Sequence, residues 1–151
     1  MNRAIGFRFD GTVNSFESGW CGATSIPDGP FGDVIPLIAR LIDEGVTVFV
    51  LSDRLGYENG YYTMFTWFVT HGLGFDRVRK LKFVHVLPAG VGVIDRCAYG
   101  WPGVLPRFEQ LVPEPGAWNE PYDTHATNTL AEALTLAAAF LHESATEMQS
   151  E

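Results

Sequence analysis

The chain predicts an α/β domain: a mainly parallel sheet with helices on both faces, three layers in all. Three observations carry this. Apolar runs of strand length recur at residues 4–9, 46–52, 82–87 and 90–95, and helical periodicity fills the gaps between the first three. The second run, VTVFVLS, is too continuously apolar for a sheet that is wet on one side. The polar residues Asp10, Ser52 and Asp95 each close one of these runs. In open parallel sheets the ligand crevice lies outside the carboxyl ends of the strands, so three distant polar residues converge there.

Each element has its own signals. AIGFRF at 4–9 is strand-like, and Gly11 and Thr12 turn the chain after Asp10. A loop rich in Gly, Ser and Pro runs from Asn14 to Gly32. Asp33 is placed to cap a helix in which Val34, Leu37, Ile38, Leu41 and Ile42 share a face, with Gly45 ending it. A second helix is expected from Gly60 to His71, stopping at Gly72. Its aromatic stripe puts Tyr61, Phe65 and Phe68 toward the core and leaves Tyr62 and Trp67 as candidates for exposure. Residues 101–123 are Pro-rich and irregular, with one helical turn expected around Phe108 to Leu111. Thr129 and Glu132 form a capping-box pattern ahead of the stripe Leu130, Leu134, Ala137 and Leu141, which predicts a last helix followed by a polar tail. Residues 1–123 therefore read as the domain, and 124–151 as a C-terminal helix and tail packed on it.

Composition narrows the function. With 46% apolar and 19% charged residues, the chain has the balance of an ordinary globular protein. A net charge of −8 opposes a general nucleic-acid surface, which needs clustered Lys and Arg. No apolar run approaches the roughly 20 residues that span a bilayer. No signal peptide is visible, so a cytoplasmic location is expected. Cys21 and Cys97 are too few for a disulfide framework and are expected as buried or half-buried thiols. No His or Cys spacing suggests zinc.

The segments FDGTV, VFVLSDR and LPAGVGVIDR, in this order and spacing, resemble the motifs of the haloacid-dehalogenase-like (HAD) superfamily. The likeness is to its small, cap-poor, phosphatase-like members from bacteria and phages, and it covers residues 4–119. It implies a Rossmann-like fold. It also implies a nucleophilic Asp two residues before Asp10, with Asp10 as general acid. Ser52 and a lysine would hold the phosphoryl oxygens, and an acidic pair ending at Asp95 would hold magnesium.

Against that pattern the chain has lost its chemistry. The nucleophile position is Arg8, which has no lone pair to offer. The lysine position is Val86, and the first acid of the pair is Ile94. Asp10, Ser52 and Asp95 remain as vestiges. The expected reading is a pseudo-phosphatase acting by binding or assembly, with no cofactor. Arg8, Asp10, Gly11, Thr12, Ser52, Arg54 and Arg96 are its candidate ligand-binding residues, and a small anion is the candidate ligand. Arg8 is expected to pair with Asp10 and Asp95 in place of the lost metal. Ser52 reads equally as an anion contact or as a hydroxyl satisfying the backbone. The alternative is a small metal-dependent phosphohydrolase that uses Asp10 and Asp95. Exposed aromatics or the C-terminal helix are the expected contacts with a protein partner or second copy. Neither nucleic acid nor membrane is expected as a partner.

Overall fold

The first apolar run folds as β1 (Ala4–Arg8), with Ile5 and Phe7 buried on one face of the sheet. The structure is a computed structural model, and it describes residues 3–89, 91–96, 108–112 and 123–127. α1 (Val34–Asp43) lays Val34, Ile35, Ile38 and Ile42 on the core, and β2 (Thr47–Leu51) follows. After a short 3-10 turn at Asp53–Gly56 come α2 (Gly60–Thr70), α3 (Phe75–Val78) and β3 (Lys82–Val84). β4 is Val93–Arg96, β5 is Phe108–Val112 and β6 is Asp123–Thr127.

The sheet order is β3-β2-β1-β4-β5-β6. β1 to β4 run parallel, and β5 and β6 add on antiparallel. The chain builds outward from β1 through β2 to β3, then crosses to the far side of β1 to lay down β4. That reversal is the topological switch at which α/β sheets open a crevice, and Asp10 stands just beyond the end of β1.

Both longer helices end as their glycines dictate. Gly45 and Gly72 take positive φ, and the residue after each donates back to the last turn, Val46 to the Leu41 carbonyl and Leu73 to the Phe68 carbonyl. The helices serve one large core cluster. α1 and α2 meet Ile5, Phe7, Val48, Val50 and Ile94, all on the same face of the sheet. The opposite face carries a smaller cluster, Leu87, Val91 and Val93, packed with half-buried Phe49, Leu51 and Val84. β2 is thus fully covered on the side of Val48 and Val50 and only partly on the other.

Several expectations change. β3 stops at Val84, and the strand expected at 90–95 begins only at Val93. The helical turn expected at Phe108 to Leu111 is strand β5, because the outer edge of β4 offers unpaired backbone groups that outweigh a three-residue apolar spacing. Trp67 is buried, not exposed: its ring meets Phe9 and Phe68, and its Nε1 donates to the Asp28 carbonyl at 3.0 Å. Tyr61, expected in the core, is exposed, as is Tyr62. Cys21 is exposed on the loop after β1, where its thiol reaches the backbone carbonyls of Ser18 and Gly19. Cys97 and the helix expected after Thr129 lie outside the described residues. Among those described, no helix is long and apolar enough to cross a membrane.

Asp43 and Arg77 tie α1 to α3 on the surface, with Arg77 Nη2 donating to Asp43 Oδ2 at 2.8 Å. The hydrogen bond from Arg77 holds the Asp43 carboxyl below its ordinary value. A carboxyl depressed in the folded state stabilises fully above its unfolded pKa and loses that contribution as pH falls through the folded one. Both side chains are well exposed, so solvent screens the pair. Asp43→Asn is expected to leave thermal denaturation at neutral pH unchanged within error, and any difference from the wild type should vanish in acid.

Candidate functional site

Beyond β1 the chain doubles back. Val13 and Asn14 both donate to the Phe9 carbonyl, and Asn14 forms isolated bridges with Asp10 and Pro30. Gly11, Thr12, Val13 and Asn14 are all buried within this turn. It fixes the Asp10 carboxylate, 16% exposed, at the strand end. Asn14 Nδ2 donates to Asp10 Oδ1 at 3.0 Å. Asn14 Oδ1 is buried with no donor among the described residues.

Arg54 grips Asp10 through its guanidinium. This side chain is 1% exposed, among the most buried in the molecule. Its Nη2 lies 2.9 Å from Asp10 Oδ1, and its Nε donates to both carboxylate oxygens at 3.2 Å. Its Nη1 turns the other way, into the carbonyls of Gly22 (2.8 Å), Ala23 (3.1 Å) and Ser25 (3.3 Å). Trp20 closes over the cation at 4.7 Å, and the Phe9 ring lies 5.8 Å away. A planar fork is required for this double task. One edge matches a carboxylate while the other gathers main-chain oxygens, which the single ammonium of lysine cannot do. Arg54 therefore latches the loop after β1 to the sheet end.

Ser52 supports the latch from behind. It caps the 3-10 turn, its Oγ accepting from the Arg54 backbone N–H at 3.1 Å, and at 5% exposure it faces little solvent. This contact is the backbone-satisfying role expected of its hydroxyl. Gly60, the first residue of α2, lets that helix approach the same turn: a Cβ there would stand 1.8 Å from the Arg54 carbonyl oxygen.

The expected site residues sort by these contacts. Asp10, Ser52 and Arg54 come together with the buried Gly11 and Thr12 turn. Arg54, expected to bind a ligand, is interior, with Nε, Nη1 and Nη2 all bonded to protein. Arg8 is half-buried at the last position of β1. Val86 is exposed beyond the end of β3. Ile94 is fully buried and paired beside Phe7, in the large core. Asp95 and Arg96 lie on β4. Asn14, Trp20 and three main-chain carbonyls escaped the sequence reading. Asn14 carried a faint signal, four residues past Asp10 in the same turn. The carbonyls at 22, 23 and 25 carried none, since every residue type has one.

The magnesium that the family resemblance implies does not fit the residues present. Both oxygens of Asp10 face a buried guanidinium, and Ile94 has no side-chain oxygen to offer. The described residues hold no group of three or more His, Cys, Asp or Glu side chains able to share a metal ion. No protein-family model, curated protein or solved structure matches the chain.

Proposed function

We propose that this chain is a catalytically degenerate HAD-type protein that acts by binding, its sheet end converted from a phosphoryl-transfer centre into a structural latch. One observation carries the reading: Asp10, the residue that would act as general acid, is held by buried Arg54 and by Asn14. Arg8 at the nucleophile position and Val86 at the lysine position support it. In this reading the sheet is sandwiched, since the face carrying Phe49, Leu51 and Val93 is apolar enough to need helical cover.

Hydrolysis of p-nitrophenyl phosphate with and without magnesium tests this. The wild type is expected to show no turnover above background, and magnesium is expected to leave the melting temperature unchanged. Arg8→Asp is expected to remain inactive, because groups that act as a unit are strongly non-additive and one restored carboxylate recovers little. Magnesium-dependent turnover abolished by Asp10→Asn would instead establish a phosphohydrolase with a rearranged site.

A further inference from the structure

β3 forms one edge of the sheet: among the described residues it pairs with β2 alone. An edge strand presents a row of backbone donors and acceptors to any chain that can lie alongside it. The surroundings of this edge are unusual in two ways.

The first is aromatic. On the α2 side, Phe83 of β3 meets Tyr61 edge-on at 5.2 Å, Tyr61 lies 6.1 Å from Phe65, and Phe65 lies 5.5 Å from Phe75. Tyr61 is 52% and Phe75 57% exposed, so the row is open to solvent at these two rings. The second is charge. In a chain of net charge −8 with ten Lys and Arg, four of those cations fall within residues 77–82. Arg77 is engaged with Asp43, and Arg79 lies 5.8 Å from the Phe75 ring. Lys80 and Lys82 are exposed, with Asp76 the one acid on α3. Side chains alternate along β3, so Lys82 faces the side opposite Phe83.

We propose that this edge is a docking site for an extended acidic segment of a partner protein, added as a seventh strand and alternating apolar with acidic residues. A strand laid on β3 sends successive side chains to opposite faces. One set reaches the aromatic row of Phe83, Tyr61 and Phe75. The other reaches Lys82, with Lys80 at the strand's entry. Charge selects the occupant. A second copy pairing edge to edge would bring a second Lys80 and Lys82 to the same edge, and like charges across strands are destabilising. Single-stranded nucleic acid favours aromatics beside cations, but its backbone cannot pair with a strand edge. Lysines on an edge also serve to repel unwanted strands, yet protection alone gives no reason to leave Tyr61 and Phe75 uncovered beside them.

This gives the proposed binding role a partner class, and its test reads no catalysis, so the two stand or fall separately. The probe is a short labelled peptide alternating valine and glutamate, titrated with the full chain and followed by fluorescence anisotropy. Saturable binding is expected, weakening as salt rises, and Lys80→Glu with Lys82→Glu should weaken it by about tenfold or more. The same peptide with lysine for glutamate should not bind. In the wild type, amide resonances of residues 82–84 should shift on titration, a readout that needs no variant to fold. Failure to bind the glutamate peptide, equal binding of both peptides, or preferential binding of oligothymidylate would overturn the proposal.

Discussion

Arg54→Met will destabilise the protein by about 3–5 kcal/mol, the cost of breaking a buried ion pair from one side. Methionine keeps much of the apolar stem but removes the Arg54 cation from the Asp10 carboxylate and the guanidinium donor from the carbonyls of Gly22, Ala23 and Ser25. Chemical denaturation at neutral pH measures the loss. Asp10→Asn added to Arg54→Met should cost much less than the sum of the single changes, since the two groups are one interaction and a neutral amide tolerates the vacated site better. Arg54→Lys should fail to rescue, because one ammonium cannot reach the carboxylate edge and the carbonyl cluster together. A loss below about 1 kcal/mol for Arg54→Met would mean that the loop after β1 holds its place without the latch.

Gly60→Ala will destabilise although it sits in a helix, where the exchange ordinarily gains up to about 1 kcal/mol. The added methyl would stand 1.8 Å from the Arg54 carbonyl oxygen and 2.7 Å from its carbon. The obstacle is backbone, so no rotamer change relieves it. Either α2 shifts away from the 3-10 turn or the turn moves and drags Arg54 off Asp10. Overpacking of this kind costs about 1–3 kcal/mol and occasionally more, and here it opposes the propensity gain. Thermal denaturation gives the sign, and the variant should also lose part of the coupling between Arg54 and Asp10. A melting temperature at or above that of the wild type would show that α2 can withdraw freely.

Much of the architecture is legible in the sequence. Local chemistry decides it: the continuous apolarity of residues 46–51, the stripe of Val34, Ile38 and Ile42, and the left-handed glycines 45 and 72 each act within a few residues of chain. The strand at Phe108–Val112 was not legible in the same way, because its conformation answers to the edge of β4 and not to its own spacing.

The site divides along the same line. The sequence alone determined that a carboxylate stands at the end of the first strand, that an arginine stands two residues before it, and that Arg8, Arg54 and Arg96 are the cations near the strand ends. Only the tertiary structure decided that Arg54 reaches Asp10. It is carried to the carboxylate by a turn that Ser52 caps and Gly60 permits. It is held there by carbonyls from a loop about thirty residues away in the chain. Main-chain oxygens are identical in every residue type, so where they gather depends on the path of the folded loop, and no pattern of side chains records it.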